Sequence, residues 1–235
     1  MKTKILFLSL FFSVLLAGVR AQETGDSNAY LRWSQQEAES VGKSTYHDGK
    51  VGSRVLFVWL GVDTRGLKTE RSQNYKIRAT WFTPEVIRAS ARSAQLRDRL
   101  TDKETQALVA EAEAVSGTVI MVELDPNEGS GVIPLDWSAF LQPKGSTSPN
   151  EAVRGVQMPE LRKAPVFQGV QQRNYDYERF WVAFPLLRDD GNILVSPDKD
   201  AIQLVVRIYN REGTVSWQVP TSIRTLEDTV KHPSK

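Results

Sequence analysis

The clearest feature of the chain is an alternation of apolar and polar positions in three runs near its C-terminal end. In each run the apolar residues recur at every second position, which is the period of a β-strand with one buried face. The link between the last two runs, residues 210–213, ends in a glycine, which tolerates the positive φ angles of short hairpin loops. The pattern therefore predicts an antiparallel hairpin made of the last two runs. The three runs are residues 179–186, 201–209 and 214–219.

Further strands are predicted upstream. Residues 55–60 (VLFVWL) are apolar at every position, as expected for a central strand covered on both faces. Residues 75–81 alternate between apolar and polar side chains, and we expect them to pair antiparallel with 55–60. Residues 43–50 contain Ser, Thr, Asp and Gly and are expected to form a loop, and residues 159–173, with two prolines and no clear period, are expected to be irregular. The remaining predicted strands are 118–124, 135–141 and a short edge strand within 153–158.

Two helices are predicted between the strands at 75–81 and 118–124. Thr83 can cap a helix that carries Pro84 in its first turn. Thr101 and Glu104 form a capping-box pattern, in which a hydroxyl and a carboxylate satisfy free backbone N–H groups, so a second helix starts there. The chain is therefore expected to carry a helical pair inserted between two strands.

About eight short strands separated by turns are typical of a mainly β protein. We predict a two-sheet antiparallel sandwich of immunoglobulin-like type with an inserted helical hairpin and a short N-terminal helix over 28–41; a single open sheet backed by helices is the alternative. The expected organisation is a signal peptide at 1–21, an N-terminal helix and loop at 22–53, the sandwich at 54–222 with its helical insertion at 84–115, and a polar tail at 223–235.

The N-terminal segment has the form of a secretory signal peptide. A basic start is followed by an apolar core at 5–16 and by small residues ending at Ala21. Its removal takes Lys2, Lys4 and Arg20 from the 30 basic residues and none of the 28 acidic ones, which leaves 27 against 28. The basic character of the whole chain therefore comes largely from the targeting segment, and a nucleic-acid partner is not expected.

The chain contains no cysteine and no Asn-x-Ser/Thr sequence. An exported protein of this kind has no disulfide framework, cannot be anchored through a lipidated cysteine, and must rely on its apolar core. The two absences together favour a bacterial exported protein. We therefore expect a periplasmic or secreted protein without a transmembrane segment.

No catalytic or metal-binding signature stands out. There is no Gly-x-Ser-x-Gly and no cysteine nucleophile, and the histidines are His47, beside an aspartate, and His232 near the end. So few histidines, without cysteine, cannot assemble a zinc site. The oxygen-rich stretch 125–131 resembles a calcium loop but lacks the required later ligands, so a turn is preferred. We expect no catalytic residues, no metal and no cofactor.

The strongest candidate for binding is the stretch 174–181 (NYDYERFW). If strand geometry extends backward from Phe180, four side chains share the face opposite the apolar row. Rigid aromatic rings beside an arginine suit sugars or extended peptides. The alternative is that the tryptophan packs beneath a loop or helix and the tyrosines stand at a sheet edge. The four residues are Tyr175, Tyr177, Arg179 and Trp181.

A second candidate surface lies on the first helix of the inserted pair. Its arginines fall in one stripe with Gln95, while apolar residues such as Val86 and Leu96 point away toward a core. This basic ridge suits an acidic partner or lipid headgroups; the alternative is a solvated ridge partly neutralised by Glu104 and Glu111. The ridge consists of Arg88, Arg92 and Arg99.

These observations predict an exported, non-catalytic β-sandwich that binds or assembles with another component of the bacterial cell envelope. The alternatives are a carbohydrate-binding protein that uses the aromatic strand face, and a hydrolase whose carboxylates the sequence does not place. The partner is accordingly another envelope protein or a glycan. Because the strands on either side of 84–115 keep the same alternation, we expect the insertion to be dispensable for folding and to carry specific contacts.

Overall fold

The structure is a computed structural model that describes residues 28–53, 75–126, 136–146, 148–170, 177–187, 200–208 and 211–223. Several predicted features lie outside these ranges: the signal peptide, the strand at 55–60, the turn residues 127–131, Tyr175, and the tail from residue 224. The described strands are β1 (Tyr46–Asp48), β2 (Lys50–Ser53), β3 (Tyr75–Phe82), β4 (Thr118–Pro126), β5 (Ser138–Pro143), β6 (Val153–Arg154), β7 (Val156–Gln157), β8 (Glu178–Phe184), β9 (Ala201–Ile208) and β10 (Arg211–Gln218). The described helices are α1 (Gln35–Gly42), α2 (Pro84–Asp98) and α3 (Asp102–Glu113), with 3-10 turns at Ala29–Arg32, Pro149–Glu151, Pro159–Lys163 and Pro165–Gln168.

The helices begin where the sequence supplies caps. In the predicted capping box of α3, the Thr101 hydroxyl accepts from the Glu104 N–H, and the Glu104 carboxylate accepts from the Thr101 N–H at 2.7 Å. That backbone hydrogen bond holds the pKa of Glu104 below its usual range. Thr83 caps α2, and Pro84 occupies its first turn as predicted. The helix expected over 28–41 is instead a 3-10 turn followed by α1, because Trp33 between them is extended.

Within the described residues, the protein is mainly β and forms two antiparallel sheets of five strands each. Sheet A has the order β1, β3, β4, β8, β7, and sheet B has the order β2, β10, β9, β5, β6. The predicted C-terminal hairpin is confirmed by the antiparallel pairing of β9 with β10. Its link is shorter than expected, since Gly213 already lies in β10 opposite Val206. A Cβ atom at Gly213 would stand 2.9 Å from the Tyr75 hydroxyl oxygen, so this position of β10 is closely covered by β3.

At each of the two edges, the chain passes from one sheet to the other, and each crossing is made at a glycine. β1 and β2 are edge strands of sheets A and B, and Gly49 is the single residue between them. On the opposite side, Gly155 separates β6 in sheet B from β7 in sheet A. A Cβ atom at Gly155 would overlap Val182 and stand 2.6 Å from the Phe184 ring, so any other residue at this crossing would require those side chains to move. The short strands β6 and β7 thus cover an edge of each sheet.

The face that sheet A turns toward sheet B carries the main core. Side chains at alternate positions of both sheets contact each other, as the sequence pattern predicted. Trp81 of sheet A and Trp217 of sheet B meet with ring centroids 5.9 Å apart. The buried residues of this inner core include Ile77, Trp81, Ile120, Val122, Phe184, Leu141, Ile202, Leu204, Val206 and Trp217.

The opposite face of sheet A carries a second apolar core beneath the helices. Side chains of β3, β4 and β8 pack there against α2, α3 and the 3-10 turns Pro159–Lys163 and Pro165–Gln168, which together form the helical layer. The helical pair covers part of a face of sheet A that would otherwise expose large apolar side chains, which argues against the expectation that the pair is dispensable for folding. This outer core includes Phe82, Val86, Ile87, Val109, Val119, Met121, Phe167 and Trp181.

Other segments also differ from the sequence-based expectations. Residues 43–50, expected to be a loop, contain β1 and the start of β2, because pairing with β3 and β10 makes them strands. The edge strand expected at 153–158 is divided between the sheets at Gly155. Leu96 points to solvent and is 39% exposed. Among the residues that the structure describes, no helix has the length and apolar character needed to cross a membrane.

Candidate functional site

Four charged side chains form a row across the half of the outer face of sheet A that lies beside the helical layer. Strand register places Asp48 of β1 beside Arg78 of β3, Arg78 beside Glu123 of β4, and Glu123 beside Arg179 of β8. The charges alternate in sign from strand to strand, and opposite charges on neighbouring strands attract. We call these four residues the charged row. The charged row borders the helical layer. In β8, Trp181 packs beneath that layer and lies two residues after Arg179.

The inner half of the charged row is a buried ion pair. Arg179 Nε lies 2.7 Å from Glu123 Oε1, and the two side chains are only 11% and 3% exposed. Burial strengthens the attraction but makes each charge depend on the other. The Arg179 Nη2 group has no hydrogen-bond partner. The pair therefore anchors the row while leaving one donor group unsatisfied.

The outer half of the charged row is open to solvent. Arg78 Nε donates to Asp48 Oδ1 at 2.7 Å, with Arg78 28% and Asp48 74% exposed. The Arg78 guanidinium lies over the Tyr177 ring, 4.3 Å from its centroid, and Tyr46 lies two residues before Asp48 on the same face of β1. Burial raises the pKa of both tyrosines, and the positive charge of Arg78 partly opposes this. We call Tyr46, Asp48, Arg78 and Tyr177 the tyrosine–arginine surface.

The predicted aromatic strand face is only partly present as an open surface. Tyr177 and Arg179 lie on the outer face of sheet A, as strand alternation predicted, and Tyr175 lies outside the described residues. Trp181 shares that face but is 3% exposed beneath the helical layer, where its indole N–H donates to the Phe167 carbonyl at 2.7 Å. This packing agrees with the alternative interpretation of the sequence, in which the tryptophan packs beneath a loop or helix. The open surface is completed instead by Tyr46 and Arg78, which come from other strands.

The predicted basic ridge is engaged in contacts within the protein. Arg88 pairs with Glu113 of α3 at 3.0 Å. Arg92 donates to the Trp33 carbonyl at 2.8 Å and to Gln95 at 2.6 Å, which ties α2 to the segment before α1. Of the three arginines, only Arg99 is exposed, at the left-handed residue that ends α2. They therefore do not form one continuous basic surface.

A cavity of about 340 Å³ lies between the helical layer and the end of sheet A. Its walls come from α2, α3, β3, β4, the turn Pro165–Gln168 and residues Leu186 and Ile223, so no single stretch of sequence could have indicated it. Arg88 and Glu113 are its partly exposed polar residues and stand at its mouth. We call it the outer cavity. Its apolar walls include Phe82, Ile87, Ala112, Val119, Phe167 and Ile223.

His47, the histidine that lies beside an aspartate in the sequence, contacts two residues of β10. His47 stacks on the Trp217 ring, with centroids 5.9 Å apart, and its Nδ1 lies 2.9 Å from the Ser216 carbonyl. Among the described residues, no group of three or more His, Asp or Glu side chains is placed to hold a metal ion. The chemistry offered by the described surfaces is therefore hydrogen bonding, ion pairing and apolar burial.

Comparisons with known proteins do not assign the site. The chain matches no protein-family model, no curated protein and no solved structure. Its function is therefore inferred from the geometry of the outer cavity and the charged row.

Proposed function

We propose that the protein is an exported, non-catalytic binding module of the bacterial cell envelope, built on an immunoglobulin-like sandwich. The observation that carries the proposal is the outer cavity. Ligand pockets in proteins begin at about 300 Å³, so 340 Å³ is enough for one large apolar side chain of a partner protein. The cavity thus provides an anchor point for assembly with another envelope protein.

The chemistry of the outer cavity matches the usual anatomy of a protein interface. An apolar side chain that enters it leaves water, which contributes about 1.5–3 kcal/mol to binding. At the mouth, Arg88 offers N–H donors and Glu113 offers carboxylate acceptors to the backbone beside such an anchor. A buried anchor with a polar rim is the arrangement from which most interface binding energy comes.

The scaffold and the export route are supported by separate features. Antiparallel pairing throughout both described sheets and one apolar core shared between them support the sandwich. The basic start, apolar core and small residues before Gln22 support secretion. We propose that the protein acts in the periplasm, with release from the cell as the second possibility.

The test fills the outer cavity without changing its surroundings. The chain is produced with its own N-terminus, recovered from the periplasm, and checked by mass for a start at Gln22. Ala112→Leu places extra side-chain atoms at the cavity wall, whereas Ala110→Leu makes the same change on the exposed side of α3. We expect one periplasmic protein to co-purify stoichiometrically with the parent and with Ala110→Leu, and to be lost with Ala112→Leu at an unchanged melting temperature.

A second variant protects this experiment against misfolding. Val115→Phe narrows the same cavity from the connection between α3 and β4, and it replaces Ala112→Leu if that variant does not fold. Retention of the partner by a folded cavity-filling variant would rule out the outer cavity as the binding site. Turnover of a substrate by the parent, without any stoichiometric partner, would instead support the hydrolase alternative.

A further inference from the structure

The tyrosine–arginine surface is a second arranged surface, separate from the outer cavity. Its residues come from three strands, β1 and β3 and the start of β8, and meet on the half of sheet A that the helical layer leaves uncovered. Arg78 contacts two other groups at once: the Asp48 carboxylate and the Tyr177 ring. The guanidinium is therefore held in one orientation before any ligand arrives, which lowers the entropic cost of binding.

Among the residues that the structure describes, the charges around this surface balance. Lys76 Nζ lies 3.6 Å from Asp125 Oδ2, two residues along β3 and β4 from the pair of Arg78 and Glu123. Arg78 itself pairs with Asp48. Beside Arg78 in the strand register, the opposite charges of the buried pair Arg179 and Glu123 also cancel. Each cation therefore stands beside a carboxylate, so a polyanion or a polycation would meet like charge at every second position. A neutral ligand that carries both hydrogen-bond donors and acceptors fits this alternation.

We propose that the tyrosine–arginine surface binds a neutral oligosaccharide. Sugar hydroxyls both donate and accept, so one hydroxyl can donate to Asp48 while its neighbour accepts from the remaining N–H groups of Arg78. The apolar C–H face of a sugar ring packs against the partly exposed rings of Tyr46 and Tyr177, which have an apolar body and a polar tip. This proposal does not depend on the outer cavity.

The test measures binding of three defined oligosaccharides by isothermal titration calorimetry. The probes are maltohexaose, cellohexaose and hexa-N-acetylchitohexaose, and we expect at least one to bind the mature chain. Asp48→Asn removes a highly exposed carboxylate, and loss of a hydrogen bond to a charged group corresponds to affinity weaker by about tenfold or more. Arg78→Gln is expected to have the same effect.

A matched control lies on α2. Arg97 and Asp98 form an ion pair at 2.7 Å that is likewise on the surface, and Asp98→Asn should leave sugar affinity unchanged. Ala112→Leu should also leave it unchanged, which separates this proposal from that of the outer cavity.

Three results would overturn the inference. These are the absence of binding to all three probes, equal affinity of the parent and a folded Asp48→Asn protein, and stronger binding of a sulfated oligosaccharide than of every neutral probe. If Arg78→Gln fails to fold, Asp48→Asn decides, because its exposed side chain has little part in packing.

Discussion

Glu123 is the most deeply buried carboxylate of the charged row, and its removal should be costly. Glu123→Leu leaves the Arg179 guanidinium buried without its counter-charge, and loss of one partner of a buried ion pair destabilises a protein by about 3–5 kcal/mol. Replacing both residues by leucine removes the uncompensated charge, so the double variant should recover most of this loss. Urea denaturation of the parent, both single variants and the double variant gives the four free energies of unfolding.

The same cycle distinguishes a buried pair from a surface pair. If Glu123→Leu changes the free energy of unfolding by less than about 1 kcal/mol, the pair behaves as a solvent-screened one, in conflict with the burial of both side chains. Arg97 and Asp98 provide the comparison, because their exposed ion pair should contribute little when either residue is replaced.

At the scale of elements, the crossing at Gly155 joins β6 to β7 and brings the chain from sheet B to sheet A. Gly155→Ala would force a Cβ atom into contact with Val182 and Phe184, and overpacking of this kind costs about 1–3 kcal/mol. Gly52→Ala in β2 is the matched control, because a Cβ atom there meets nothing within 4 Å. Thermal unfolding should show a lower melting temperature for Gly155→Ala and no decrease for Gly52→Ala.

The crossing also explains why so short a pair of strands stays in place. The Gly155 N–H donates to the Ala139 carbonyl of β5 at 2.9 Å, and the Met158 N–H donates to the Trp181 carbonyl of β8 at 2.8 Å. The segment is thus hydrogen-bonded to both sheets within four residues. Equal stability of Gly155→Ala and the parent would mean that Val182 and Phe184 can move aside without loss of packing.

At the scale of the whole molecule, the helical layer decides whether sheet A can stay folded in water. Replacing residues 84–115 by a Gly-Ser linker would remove α2 and α3 from the outer core that they share with Phe82, Val119 and Met121, and each large side chain returned to water costs about 1.5–3 kcal/mol. Summed over these side chains, the loss is comparable to the total stability of a typical domain, about 5–15 kcal/mol. We therefore expect the shortened protein to lose cooperative unfolding and its near-ultraviolet circular dichroism.

The control for this deletion inserts the same linker at an exposed turn. Gly145 has a positive φ of 79°, and a Cβ atom there would meet no other atom within 4 Å, so an insertion should leave cooperative melting intact. A shortened protein that melts as cooperatively as this control would show that the insertion is dispensable for folding after all.

Local sequence signals identified many of the elements but not the surfaces that they form together. Alternation assigned Arg78 and Arg179 to polar strand faces, yet the partner of each was not visible, because Asp48 and Glu123 are contributed by other strands through register. Tyr46 was missed because its strand is three residues long and lies in a segment without a clear period. The predicted stripe of Arg88, Arg92 and Arg99 did not reveal that Arg88 pairs with Glu113 of α3, or that Arg92 bonds the Trp33 carbonyl before α1.

The sequence by itself determined where α2 and α3 begin and which residues of the predicted strands face the inner core. Those properties depend on caps such as Thr83 and Thr101, and on a period of two, which act over a few neighbouring residues. Only the tertiary structure decided that Trp181 is covered, that the chain changes sheets at Gly155, and that a cavity lies under the helices. These outcomes depend on packing between segments far apart in the chain, and local spacing carries no information about which distant surface will cover a given face.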